Sequence, residues 1–158
     1  MALHPTRRRL LAAVGAGASV GLSGCLGSVV PDVDEVGDAL VAELWIYDRE
    51  SDDSEPVADT HQDHWHGSLP TVQRGSVLSL GGVFKTHDRE PIPIGTDQAY
   101  QLQARCVDDC EHISVDSHGD HVQIAGKTLG EAEIVFQLAE GDEPNWEAPP
   151  ISITVPST

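Results

Sequence analysis

Histidines are concentrated in two short stretches of the sequence, and histidine is the commonest protein ligand for transition metals. Neutral imidazole suits zinc, copper or nickel, and three or four imidazoles give a tetrahedral or near-planar set of ligands. The alternative is a pair of exposed polar turns, in which histidine and aspartate are ordinary residues. The stretches are H-Q-D-H-W-H-G and S-H-G-D-H, and their histidines are His61, His64, His66, His118 and His121.

The first stretch presents two histidines on one side if its backbone is extended. Successive side chains of a strand point to opposite faces, so that His64 and His66 share a face and Trp65 points the other way. Two imidazoles on one face can reach one ion, while Trp65 packs into the core and holds the backbone in place. His61 precedes this segment and is a spare ligand, and Asp63 is a further candidate.

The second stretch has the form of a hairpin corner. Gly119 and Asp120 fit a two-residue turn, which places His118 and His121 close together at the strand ends. Asp120 is either an oxygen ligand or a partner that fixes the tautomer of a ligating imidazole, and the same holds for Asp63. We therefore predict one site, closed by the fold from both stretches, with zinc as the metal. Its ligands are His64, His66, His118 and His121, with His61, Asp63 and Asp120 as additional candidates.

The remaining motifs do not indicate catalysis. The chain has no G-x-S-x-G, no H-E-x-x-H and no kinase signature set. A zinc ion held by three histidines with an open position could activate water, but nothing in the sequence marks a substrate pocket. His87 and His112 lie in polar surroundings and are interpreted as surface residues. We expect a binding protein rather than an enzyme, with a small metalloenzyme as the minority interpretation.

The first 25 residues have the organisation of an export signal. Arg7 and Arg8 precede an apolar run at 10–22 that is too short to span a bilayer, which needs about 20 residues. The paired arginines resemble a twin-arginine signal, which exports folded proteins, and L-S-G-C at 22–25 resembles a lipobox. These resemblances imply that Cys25 is the lipid-modified first residue of an extracytoplasmic protein anchored to the cell membrane. An uncleaved apolar tail with an incidental cysteine is the alternative.

The charge balance excludes some partners. The chain has 9 basic and 26 acidic residues, a net charge of −17, and removal of three signal arginines leaves 6 − 26 = −20. A nucleic-acid partner is excluded because phosphate backbones are bound by lysine and arginine, and docking on anionic lipids is excluded for the same reason. This composition resembles proteins of salt-loving archaea, in which high salt screens the repulsion between carboxylates.

Two cysteines remain after Cys25 is assigned to the lipid. Cys106 and Cys110 form an even pair in C-V-D-D-C, and outside the cytoplasm such a pair predicts a disulfide. Free thiols and ligation of a soft metal ion are the alternatives.

Short runs with a period of two follow a small acidic tether at 26–38, and they predict the elements that must position the histidines. Such runs favour strands, and seven or so in one domain at 39–158 predict an all-β, Ig-like antiparallel β-sandwich. The predicted strands are 39–47, 76–84, 98–105, 112–116, 121–125, 131–138 and 151–155.

The region from 113 to 138 resembles the end of a bacterial Ig-like domain. Gly126 and Gly130 match the turn of that family, and Ala132, Ile134 and Phe136 match one face of the strand after it. The resemblance implies the sandwich fold and says nothing about function.

D-H-W-H-G-S-L-P and the later S-H-G-D-H are also similar to a group of small, His-rich, extracytoplasmic lipoprotein domains of halophilic archaea. That resemblance implies handling of transition metals. The family carries a further histidine group before a late T-P-P-I motif, where this chain has L-A-E-G-D-E-P-N-W-E-A-P-P-I; Glu140, Asp142 or Glu143 are the substitutes available there. We therefore expect a lipid-anchored protein that captures, buffers or delivers zinc or a similar ion, with a metal transporter as a candidate partner. The alternative is a structural or adhesive Ig-like module without a metal.

Overall fold

Antiparallel strands account for the architecture of residues 40–61 and 63–157, the part of the chain that the computed structural model describes. They form two sheets packed as a sandwich, as predicted, and no helical element occurs among these residues. The strands are β1 (Glu43–Asp48), β2 (Ala58–His61), β3 (His64–Gly67), β4 (Val77–Lys85), β5 (Tyr100–Cys106), β6 (Ile113–Ser117), β7 (His121–Gly126), β8 (Gly130–Glu140), β9 (Glu143–Glu147) and β10 (Ile151–Val155).

The strand order is that of an immunoglobulin-like frame. The first sheet has the order β3-β2-β1-β4-β7-β6, and the second has the order β10-β8-β5 with β9 also paired to β8. The series β1-β4-β7-β6 corresponds to strands A, B, E and D of a constant-type domain, and β5-β8-β10 corresponds to C, F and G. Each of the seven predicted runs therefore supplies one strand of this frame.

Ten strands replace the expected seven for two reasons. The connection between β1 and β4 forms an additional hairpin, β2–β3, which extends the first sheet beyond β1. The last frame strand is divided into β9 and β10, which pair with successive parts of the same side of β8. Pro149 and Pro150 lie between them, and proline lacks the N–H that a continuous ladder would need.

The core lies between the sheets; buried and less buried residues alternate along β1 and β7 of the first sheet, whereas β8 of the second sheet is buried over six consecutive residues. In β1, Leu44 and Ile46 are fully buried while Trp45 points outward, and in β8 Ile134 and Phe136 are fully buried. Full burial of such a side chain contributes about 1.5–3 kcal/mol. This alternation leaves the side chains between the buried ones on the outer face of the first sheet, which is the face turned away from the second sheet.

The predicted signal peptide with Arg7 and Arg8, the lipidated Cys25 and the tether at 26–38 lie outside the described residues. Within 40–61 and 63–157, no helix has the length and apolar character needed to cross a membrane.

Candidate functional site

The first histidine stretch spans the corner of a hairpin. Strand β2 ends at His61 and β3 begins at His64, and these two residues are direct cross-strand partners with ring centroids 6.4 Å apart. His61, predicted as a spare ligand, therefore lies directly opposite His64. We name β2 and β3 together the histidine hairpin.

Alternation along β3 places its side chains as predicted. His64 and His66 share the outer face, with ring centroids 4.8 Å apart. Trp65 points inward, where its ring packs edge-on against Phe136 at 6.0 Å and its Nε1 donates a 2.7 Å hydrogen bond to the carbonyl of Pro149. Trp65 thus attaches the edge strand to the second sheet and leaves the two imidazoles in solvent.

The imidazoles of His61 and His64 each have a carboxylate neighbour, and His66 has an aspartate as its cross-strand partner. The Nδ1 atom of His64 lies 3.9 Å from Asp63 Oδ1, and the Nδ1 atom of His61 lies 3.9 Å from Glu43 Oε1. His66 is the cross-strand partner of Asp59. Carboxylates at such positions can fix the tautomer of a metal-ligating imidazole, so that Glu43 and Asp59 join the candidate site.

The second histidine stretch forms a corner between β6 and β7. His118 donates its backbone N–H to the carbonyl of His121 at 2.9 Å, and the two rings stack with centroids 4.8 Å apart and planes 13° apart. Gly119 has a φ of +90°, and its carbonyl accepts a 2.7 Å hydrogen bond from Leu102 N in the second sheet. A glycine is required there because a Cβ would lie 2.8 Å from Thr96 N.

The carboxylate of Asp120 contacts two side chains at the second corner. Its Oδ1 accepts a 2.6 Å hydrogen bond from Nδ1 of His121, and its Oδ2 lies 4.0 Å from the Arg49 guanidinium. The hydrogen bond from His121 is the main cause that lowers the pKa of Asp120 below its ordinary value, against a smaller opposing effect of burial. The other ring nitrogen of His121, Nε2, is therefore the one that could bind a metal ion.

The fold does not bring the two histidine stretches to one ion. Strands β2, β1 and β4 lie between β3 and β7, and four spacings of about 4.8 Å separate β3 from β7 by about 19 Å. Zinc binds imidazole nitrogen at about 2.0–2.1 Å, so no single ion can contact both groups. The expected site closed by four histidines is corrected to two separate candidates, one with His64 and His66 and one with His118 and His121.

The two corners share the sequence H-x-D-H. In each, two residues separate the two histidines at the junction of two paired strands, and an aspartate precedes the second histidine. From this repeated pattern one could have predicted that His61 lies opposite His64. Nothing comparable in the sequence marks Glu43 or Asp59, because the register of β1 against β2 determines their proximity.

The donor chemistry of the histidine hairpin fits a transition metal, although the rings as placed do not converge. Among the described residues, no three His, Cys, Asp or Glu side chains are arranged to hold one ion. The side chains of His61 and His64 are 59% and 55% exposed, so their rings can rotate between rotamers without displacing core atoms. Imidazoles with carboxylates beside them are ligands for zinc or a similar divalent ion.

The other sequence candidates lie elsewhere. Cys106 and Cys110 are joined by a disulfide with Cα atoms 5.9 Å apart, which removes both sulfurs as thiolate ligands. His112 lies against a Thr128 hydroxyl at 3.0 Å. It also borders an acidic depression of about 300 Å³. Glu140, Asp142 and Glu143 lie at the β8–β9 turn of the second sheet, away from the histidines of the first.

No protein-family model matches the chain, and no curated protein matches it. Among solved structures, domains 4 and 5 of the S-layer protein SbsC align with 63% of this chain at 11% sequence identity and a TM-score of 0.42. The alignment spans 62% of the S-layer chain. A likeness of this strength carries no argument about fold or function.

Proposed function

We propose that the protein binds a divalent transition metal, in the first place zinc, through the histidine hairpin at the outer surface of the cell. The observation that carries this proposal is the pair of exposed imidazoles of His64 and His66 on one face of a strand, 4.8 Å apart, with His61 opposite. The role that follows is capture, buffering or delivery of the ion, with a metal transporter as a candidate partner.

The hairpin is favoured over the corner at 118–121 because of ring geometry. An imidazole binds a metal through a lone pair in the plane of its ring. The rings of His64 and His66 are inclined at 67° and are exposed, so that they can change rotamer without displacing core atoms. The rings of His118 and His121 are stacked and nearly parallel, and their lone pairs do not meet between them.

The backbone that carries the ligands is held by its inward side. Trp65 packs on Phe136 and donates to Pro149, which fixes the strand between the two histidines. A preorganised backbone lowers the entropy that the ligands lose when a metal binds. The exposed outer face then gives an ion direct access from solvent.

The location is proposed from the N-terminal sequence. Arg7 and Arg8, the short apolar run and Cys25 occur in the order of an exported lipoprotein signal. The disulfide between Cys106 and Cys110 suits an oxidising compartment outside the cytoplasm. The lipid on Cys25 would anchor the domain to the membrane, since the acidic surface offers no electrostatic attraction to anionic lipids.

Calorimetric titration with zinc tests the proposal. The protein should bind zinc saturably, and His64→Ala and His66→Ala should each weaken binding by at least about tenfold, since even an indirect partner of a ligand costs that much. His87→Ala, in a different loop, is the matched control and should bind as the parent does. Affinity should fall as the pH is lowered, because imidazole must be neutral to bind a metal.

A structural or adhesive surface module without a metal is the competing function. It requires that no stoichiometric metal remains after dialysis and that zinc, copper, nickel and cobalt leave the melting temperature unchanged. Either tight zinc binding that is unaffected by His64→Ala and His66→Ala, or no binding, overturns the proposal for the histidine hairpin.

A further inference from the structure

We propose that a second copy of this chain completes the metal site, by pairing its own β3 antiparallel to β3 of the first copy. One ion is then held by His64 and His66 of both copies. This inference rests on the proposed metal binding at the histidine hairpin and adds the partner that supplies the missing ligands.

Strand β3 has an open edge on which such a partner can pair. It is the terminal strand of the first sheet, bonded to β2 on one side, and no strand of the described part of the chain pairs with its other side. His64, His66 and Gly67 are exposed along this strand. An unpaired edge presents backbone N–H and C=O groups as a template for another strand.

The register of the hairpin determines which backbone groups are on that edge. Ser68 donates to the carbonyl of Val57 at 3.2 Å, so alternation makes Asp59 and His66 a hydrogen-bonded pair, and likewise His61 and His64. The backbone groups of both β3 histidines are therefore directed toward β2. Those of Trp65, between them, are directed toward the open edge.

Antiparallel pairing about Trp65 brings four imidazoles together. Trp65 of each copy would exchange two hydrogen bonds with its counterpart, which places His64 of one copy directly opposite His66 of the other. Such flanking pairs are not hydrogen-bonded, and their Cα atoms lie about 4.5 Å apart. With about 7 Å between alternate residues of a strand, the four histidines occupy the corners of a small rectangle on one face. A four-coordinate zinc site needs four ligands in such proximity.

A single chain lacks such a set. No three metal-binding side chains converge among the described residues, and the second histidine corner is about 19 Å away across the sheet. His61 is the nearest third imidazole, but its ring is farther from His64 than the ring of His66 is and its Nδ1 faces Glu43. The second copy provides two imidazoles in the same arrangement as the first.

The charge of the chain makes the association depend on the metal. Each chain has a net charge of −17, and Asp59 and Asp63 border the histidines that would meet. Two such edges repel each other until a cation lies between them. Pairing should therefore be weak without zinc and strong with it.

Sedimentation equilibrium combined with metal analysis tests the inference. The exported chain with Cys25→Ser, which removes any association through lipid, should be monomeric in chelator. With zinc it should become a dimer that contains one zinc per two chains, with a dimer dissociation constant lowered at least 100-fold. His64→Ala and His66→Ala should abolish this dimer, while His87→Ala should retain it.

Two results separate the failure of this inference from that of the proposed function. A monomer that binds one zinc per chain, with binding lost in His64→Ala, overturns the inference and leaves the proposed function standing. An absence of zinc binding overturns both. A zinc-dependent dimer that persists in both histidine variants overturns the inference together with the proposed use of the histidine hairpin, because its site then lies elsewhere.

Discussion

At the scale of single residues, burial separates Trp65 from the two histidines beside it. The histidines end in solvent, whereas the indole is partly buried and its N–H reaches the carbonyl of Pro149 at 2.7 Å. One side chain therefore joins the edge of the first sheet to the break between β9 and β10 in the second. This contact constrains the position of His64 and His66 in addition to their own backbone pairing with β2.

Replacement of Trp65 by phenylalanine tests that contact. Trp65→Phe retains an aromatic ring against Phe136 but loses the hydrogen bond, and we expect a free energy of unfolding lower by about 1 kcal/mol. Urea denaturation measures the change. Trp146→Phe is the matched control, since the contact of Trp146 with Phe84 at 5.9 Å is one that another phenyl ring preserves. Equal losses in the two variants would show that the hydrogen bond contributes nothing.

The sequence was sufficient for part of this residue-level arrangement. Alternation alone predicts that His64 and His66 share a face and that Trp65 points inward, because a strand reverses its side chains at every residue. Alternation gives no information about Glu43 or Asp59, which approach the histidines through the pairing of β1 with β2. The hydrogen bond of Asp120 to His121 is local, and the adjacent positions of these residues in S-H-G-D-H already make it available.

At the scale of elements, the sequence pattern predicts the seven frame strands but does not predict the histidine hairpin. The frame strands carry repeated apolar residues at alternate positions, as in I-S-I-T-V at 151–155. Strands β2 and β3 are A-D-T-H and H-W-H-G, with four residues each and few apolar side chains. Their strand conformation depends on pairing with β1, and such tertiary pairing overrides weak local preference.

The corner between β6 and β7 requires a glycine at position 119. Two glycine-to-alanine substitutions measure how much that glycine contributes to the free energy of unfolding. Gly119→Ala places a methyl group 2.8 Å from Thr96 N in a residue with φ of +90°, whereas Gly141→Ala meets no atom within 4 Å at φ +63°. We expect a loss of about 1 kcal/mol for Gly141→Ala from the left-handed backbone alone, and roughly 2–4 kcal/mol for Gly119→Ala. Thermal unfolding of both variants gives the comparison, and similar losses would contradict the role of the contact.

Strand order explains why the predicted site divided into two. The sequence predicts an extended segment for the first histidine stretch and strand ends for the second, and both belong to the first sheet. Their distance depends on which strands lie between them, and three strands do. Sequence patterns indicate that a strand exists and which of its faces is apolar, but they do not give its neighbours, because pairing is decided by long-range packing.

At the scale of the whole molecule, the net charge of −17 sets the conditions under which the sandwich is stable. Repulsion among carboxylates destabilises a compact state. The Debye length, the distance over which salt screens a charge, falls from about 10 Å at 0.1 M to about 3 Å at 1 M. The domain should therefore be more stable in concentrated salt than in dilute buffer.

Thermal melting between 0.1 M and 3 M sodium chloride measures this dependence. We expect the melting temperature to rise with salt, because screening weakens the repulsion in the folded state more than in the expanded one. Asp52→Asn with Asp53→Asn removes two charges from the exposed loop after β1 and should raise the melting temperature at 0.1 M while reducing the slope. An unchanged slope in this double variant would indicate that salt acts through apolar burial instead.

The histidine hairpin lies in the connection between β1 and β4, outside the seven-strand frame. These two strands pair directly over Glu43–Asp48 and Leu80–Lys85, so the intervening segment at 49–76 is not needed to bring them together. Lengthening such a connection costs only about 0.6 kcal/mol for each doubling. A different segment could therefore connect β1 and β4 in another β-sandwich, provided that its inward side chains fit the core. Proteins with the same seven-strand frame can thus differ entirely in what they bind.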